Sequence, residues 1–292
     1  SKFEEAGGSM TADPAASTEP QLTIIEPQRG MERLKLSDLW LNRELIAMLA
    51  KRTILQRYKQ TTLGPLWALV QPLAYMLVLN TFFSLVIRAP TPGVPYPLHL
   101  LTGIVAFQFF TKCLNDGASS IGRNSGILSK VYLPRVIFPV VSIIVTMFDF
   151  LFPFTLLVVF LAIYGVAPTA NLLALPVIFF FLLLGGMAAS LIMSVSNVRF
   201  QDMRVILPIM TQMLFFATPI FYSASIIPES WQWLYGLNPL VGIVESFRWC
   251  MLGLPEPPPL HLLASSAITI LVMFVVSLYY FRWLDRSIYQ YL

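Results

Sequence analysis

Charge is scarce in this 292-residue sequence: Asp, Glu, Lys and Arg together make up 12% of it, against roughly 25% in an average soluble domain. A chain so poor in charge cannot cover its apolar surface with polar groups in water. Histidine and cysteine are scarcer still, with two of each. His99 and His261 stand alone, outside any H-E-x-x-H or similar cluster, and read as interfacial residues at the ends of apolar blocks. Cys113 and Cys250 form neither a metal motif nor a disulfide framework. No lysine follows a glycine, so the G-K-[ST] of a P-loop is absent and the chain does not hydrolyse nucleotide by that chemistry. Asp38, Asp116 and Asp202 are scattered, which argues against a lipid-linked glycan transferase with clustered carboxylates at one interface.

Apolar length is what the chain has in abundance. Hydrophobic residues make up 57% and the mean hydropathy is +0.71. They fall in long blocks, and a hydrocarbon core of about 30 Å needs ~20 apolar helical residues. Six blocks meet that length, at 65–87, 97–115, 136–164, 172–196, 205–227 and 260–282. The expected fold is therefore an all-α integral membrane protein with six transmembrane helices. Between the fifth and sixth, "PESWQWLYGLNPLVGIVESFRWCMLGLPEPPP" is apolar only in short pieces broken by Gly, Pro and charge. It reads as a re-entrant or interfacial helical hairpin, with Glu245 and Arg248 spaced to pair on one helix face.

Basic residues orient the chain. With the N-terminus cytoplasmic, every Lys and Arg except Arg88 and Arg248 falls on the inner side, which puts both termini in the cytoplasm. The net charge of +4 then reflects topology and gives no reason to expect nucleic acid. The stretch "RYKQTTLGPLWALVQP", 57–72, is a membrane entry: Arg57 and Lys59 at headgroup level, Gly64-Pro65 opening a helix, Trp67 in the aromatic belt. Upstream, Leu41, Leu45, Met48, Leu49 and Leu55 share a helical stripe with Arg52, as expected for a helix lying in the interface. Three regions follow: a disordered leader over 1–30, whose "SKFEEAGGSM" resembles a tag remnant before Met10; a cytoplasmic interfacial helix over 31–60; and a permease domain over 61–292. No signal-peptide pattern precedes the first block.

Asp149 is the one acidic residue clearly inside a block, too little for a proton relay and suited to hydrogen bonding within the bundle. Gly185-Gly186 suits close helix packing. Between the second and third blocks, "NDGASSIGRNSGILSKVYLPRVIFP" is too polar for lipid yet carries Ile127 and Leu128, a pattern for docking a soluble partner. A secondary transporter would show more intramembrane charge or an inverted repeat, and neither is present.

"RYKQTTLGPLWALVQP", "GILSKVYLPRVIFP", "NVRFQDMRVILPIMTQMLFFATPIFYS" and "WLYGLNPLVGIVESFRW" together resemble the type-2 ABC exporter permeases of the polysaccharide branch, from about residue 35 to the C-terminus. The resemblance implies a homodimer bound to two copies of a separate ABC ATPase, which carries ATP and Mg; this chain holds no cofactor. It implies a bacterial inner-membrane exporter of a polyprenyl-pyrophosphate-linked glycan, O-antigen in first place, with capsule or teichoic acid as alternatives. By the same resemblance 119–135 is the coupling element, with Arg123, Ile127, Leu128, Lys130, Tyr132 and Arg135 facing the ATPase. Arg52, Arg57 and Lys59 would guide the lipid pyrophosphate, and Trp231, Trp233, Glu245 and Arg248 belong to a periplasmic gate. Aromatic platforms suit sugars, and the candidates for the channel are Tyr75, Phe82, Phe107, Phe110, Phe215, Phe216 and Tyr222.

Overall fold

The computed structural model describes residues 36–59, 64–83, 94–128 and 133–285. The expected leader over 1–30, together with Arg88, Lys130 and Tyr132, lies outside them. Among the described residues there are helices and no strands. In chain order these are α1 (Leu36–Leu41), α2 (Arg43–Lys59), α3 (Trp67–Phe82), α4 (Tyr96–Arg123), α5 (Ser125–Leu128), α6 (Ile137–Ile163), α7 (Leu175–Arg199), α8 (Met203–Ala217), α9 (Glu229–Tyr235), α10 (Pro239–Leu252) and α11 (Leu260–Asp285).

Four segments are long and apolar enough to cross a membrane: Tyr96–Leu128, Ile137–Ile163, Ala170–Arg199 and Leu260–Asp285. The other two expected spans hold shorter helices among the described residues. Helix α3 has 16 residues and α8 has 15, about 24 and 22 Å at 1.5 Å per residue. The block expected at 205–227 stops as a helix at Ala217, where Thr218 turns extended. Pro219 removes the next backbone donor and ends the ladder.

The block with the weakest apolar signal, 97–115, is the centre of the molecule. Helix α4 continues for 28 residues and packs on α3, α6, α7 and α10. It approaches α7 through small residues. A Cβ on Gly117 would lie 2.2 Å from Ser190 Oγ and 2.6 Å from its Cα, and one on Gly186 would lie 2.8 Å from Cys113 Sγ. Backbones this close gain dispersion that lipid cannot replace. His99 departs from its interfacial expectation: it is buried in α4, stacked on Tyr96 with ring centroids 6.0 Å apart. Both cysteines are free and buried.

Helices α9 and α10 occupy the segment expected to form a re-entrant or interfacial hairpin, and each packs on α11. Asn238 caps α10 by accepting from the Leu240 amide at 3.0 Å, Pro239 occupies the first turn, and Gly253 at φ +64° closes the end. Each residue suits its position, because the cap needs an acceptor, the first turn needs no donor and the left-handed closing residue tolerates no Cβ without strain.

Candidate functional site: a groove between an ionic cluster and an outer latch

Helix α2 packs on α6 by a face that overlaps its leucine stripe only in part. Ile46, Leu49 and Ala50 are buried, whereas Met48 and Leu55 are 60% and 56% exposed. Leu45 and Leu49 of the expected stripe thus turn toward the packed face, whereas Leu41, Met48 and Leu55 stay exposed. That packed face also carries Arg57 and Tyr58 inward to the buried Asp149 of α6. Both donate hydrogen bonds to its carboxylate, and Lys112 Nζ of α4 lies 2.7 Å from it. Arg57 also pairs with Asp116 at 2.9 Å, and Arg123 approaches the same carboxylate at 3.7 Å.

Burial would depress the Arg57 pKa, but Asp116 and Asp149 outweigh it and raise the value. The Tyr58 phenol is pushed up by burial first and then by its bond to Asp149. Arg57, proposed from sequence as a headgroup guide, is thus engaged by two carboxylates, whereas Arg52 and Lys59 are exposed. Asp149 is held by hydrogen bonds within the bundle, as the sequence suggested.

Beside this cluster, Lys112, Asp149, Thr146, Gln108 and Gln71 line a cavity of about 250 Å³. A second cavity of about 510 Å³ lies between α3, α4 and α8, lined by Tyr75, Phe107, Phe215 and Phe216 together with Gln71, Gln108 and Gln212. Four of the seven proposed channel aromatics thus meet in one groove. Phe215 sits 6.0 Å from Tyr75, 5.4 Å from Phe107 and 5.6 Å from Phe216, measured between ring centroids. Phe110 does not reach it; it is buried in the core near Gly185. Phe82 is exposed at the end of α3, and Tyr222 bonds the Tyr235 hydroxyl at 2.7 Å.

Sequence reasoning missed Phe221, which continues the aromatic row 6.1 Å from Phe215 and stacks on Phe83 at 5.0 Å. It also missed the amides. Their signal was legible: Gln108, Thr111, Lys112 and Asn115 recur at helical spacing inside an apolar block, which marks one polar face.

At the opposite end of the bundle, Arg248 and Glu245 pair at 3.0 Å on α10. Arg248 is fully buried and donates to the carbonyls of Pro219 and Ile220 at 2.7 and 3.2 Å. Glu245 accepts from the Ala224 amide at 2.8 Å. The pair latches the irregular chain after α8 onto α10. Trp231 and Trp233 are each 60% exposed on α9.

In the proposed coupling element, Arg123 is exposed at the end of α4, while Ile127 and Leu128 are half-buried against the cluster that includes Ile46 and Val136. Arg135 points inward, donating to the Asp285 carbonyl at 2.8 Å and pairing with its carboxylate at 3.0 Å.

The helices of the described residues, four of them long and apolar enough to cross a membrane, are consistent with a membrane permease. The family model of the ABC-2 type transporter matches residues 44–252, and the chain belongs to that family. It is similar to the O-antigen export system permease protein RfbA of Klebsiella pneumoniae, 29% identical over 70% of this chain and 79% of that protein. To the RfbA protein of Myxococcus xanthus it is 29% identical over 80% of this chain and 91% of that one. The polysialic acid transport protein KpsM of Escherichia coli is 29% identical over 68% of this chain and 77% of its own length.

Proposed function

We propose that this chain is the membrane subunit of an ATP-driven exporter that moves a polyprenyl-pyrophosphate-linked polysaccharide, O-antigen foremost, across the bacterial inner membrane. The observation that carries this reading is the groove of Tyr75, Phe107, Phe215 and Phe216 edged by Gln71 and Gln212. Ring faces stack on the apolar faces of sugars and amides exchange hydrogen bonds with hydroxyls, so a glycan is held without a fixed charge to arrest it. Similarity to two O-antigen export permeases supports that glycan class, and similarity to KpsM supports a capsular polysaccharide as the second reading.

Two copies of the chain form the working permease. Helix α8 has Leu207 as its only buried residue, so most of its apolar surface awaits a partner, and in a homodimer the second copy supplies it. The six apolar helices act as six spans, α3 and α8 being the short ones at the dimer seam, with both termini cytoplasmic and α9–α10 as the outer gate. A separate ABC ATPase, two copies with ATP and Mg, docks on 119–135 through Arg123, Ile127, Leu128, Lys130 and Tyr132. Closure of the ATPase pushes α4 through this element, and Arg135 transmits the movement to α11. The exposed Arg52 and Lys59 attract the pyrophosphate at the inner leaflet, and Arg57 stays with Asp116 and Asp149.

The test is ATPase activity and co-purification of the nanodisc-embedded chain with its candidate ATPase, for wild type and a Leu128→Asp, Tyr132→Ala double variant. Partner-dependent ATPase activity that the double variant loses is the expected result. Undiminished co-purification of the variant removes the docking assignment, and absence of any ATPase partner removes the exporter reading.

A further inference from the structure

The cavity beside Lys112 and Asp149 and the aromatic groove share four wall residues: Gln71, Gln108, Thr111 and Asn115. Three of them are already accounted for. The Thr111 hydroxyl donates to the Phe107 and Gln108 carbonyls, Asn115 Nδ2 donates to the Thr111 carbonyl at 2.8 Å, and Gln71 is exposed. Gln108 differs, because its Nε2 is buried and has no hydrogen-bond partner among the described residues. A buried amide donor without an acceptor destabilises a fold, and a ligand that brings the acceptor removes that penalty.

Which ligand atom fits follows from the two flanks. On one side the Lys112 ammonium, paired with Asp149, stands in the cavity wall, and an ammonium suits a phosphate oxygen. On the other stand Phe107 and Phe215, the chemistry for a sugar face. A donor at the junction meets the part of the ligand in which phosphate and sugar are covalently joined. Resting on the exporter reading above, we propose that Gln108 is a specificity-determining residue whose side-chain amide binds a hydroxyl or N-acetyl oxygen of the sugar bonded directly to the diphosphate, at the wall common to both cavities. Lys112 is then a binding residue for the diphosphate, in competition with Asp149.

The test uses the full chain in phosphatidylethanolamine–phosphatidylglycerol nanodiscs and two probes, farnesyl diphosphate and farnesyl diphospho-N-acetylglucosamine, followed by intrinsic tryptophan fluorescence. Wild type should bind the sugar-bearing probe about tenfold more tightly, the worth of one well-made hydrogen bond. Gln108→Leu should bring that ratio close to one while leaving the affinity for farnesyl diphosphate and the melting temperature unchanged, since it removes a donor that has no partner among the described residues. Lys112→Met should weaken both probes together. Gln108→Glu, which keeps the shape and replaces the donor by an acceptor, should also lose the ratio. A ratio near one in wild type, or a wild-type ratio retained by Gln108→Leu and Gln108→Glu, overturns the assignment while leaving the exporter reading standing. A lowered melting temperature with both affinities lost in Gln108→Leu and Gln108→Glu makes the residue structural and overturns it too. Binding of neither probe to wild type overturns the exporter reading and this inference with it.

Discussion

Asp149 is 1% exposed and sits where a lone charge would be costly, so its three donors carry a clear energetic consequence. Arg57 and Lys112 are each partly exposed and each compensates the same carboxylate. Removing one cation leaves the other in place. Arg57→Met or Lys112→Met alone should therefore lower stability by about 1 kcal/mol, whereas the double variant strands a buried carboxylate and should lose about 3 kcal/mol or more. Adding Asp149→Asn to the double variant should restore much of the loss. Thermal melting of wild type and the four variants in one detergent checks this, and purely additive losses would contradict it. Glu245 and Arg248 follow the same rule at the other end, where the sequence spacing alone foretold the pair. Asp149 was visible in the sequence as an anomaly, but its partners lie 37 to 92 residues away along the chain and no local pattern names them.

Among the helices, contact with α7 decides where α4 sits. Gly117→Ala places a methyl within 2.6 Å of backbone at Ser190, and no rotamer relieves a backbone clash. The expected loss is about 1–3 kcal/mol, the usual result of overpacking, read as a lower melting temperature in detergent. Gly122→Ala, with nothing within 4 Å of the added methyl, serves as the control on the same helix and should leave stability unchanged or slightly raised. Helix α2 teaches a related lesson. Its leucine stripe and its packed face overlap only in part: Leu49 packs with Ile46 and Ala50, whereas Met48 and Leu55 stay exposed. Amphipathic spacing identifies a helix; the shape of its neighbour selects the face.

For the assembled molecule, the short helices matter most. Met213 on α8 is 69% exposed and Val272 on α11 is 56% exposed, and composition gives no reason to prefer either as an interface. The homodimer reading prefers α8, whose length falls short of the bilayer and whose surface is almost wholly unpartnered. Met213→Cys should cross-link between copies in membranes treated with a mild oxidant, and Val272→Cys should not. The two native cysteines are buried and give a silent background. Cross-linking through Val272→Cys alone would move the seam to α11.

The sequence by itself determined the apolar character, the helical class and the count of apolar blocks, because these follow from composition and from spacing within a few turns. It also carried enough motif order to place the chain in its family and to bring forward four aromatics that share the groove. Only the tertiary structure decided that α4 is the central helix, that Arg57 is held by two carboxylates, that Phe110 belongs to the core, and that Gln108 stands between two cavities. Each of these depends on which surfaces of distant segments meet, and in a chain that is apolar nearly throughout, hydrophobicity does not distinguish a lipid-facing side from a packed one. Shape complementarity between helices and the pairing of a few buried charges make that distinction, and both exist only once the chain is folded.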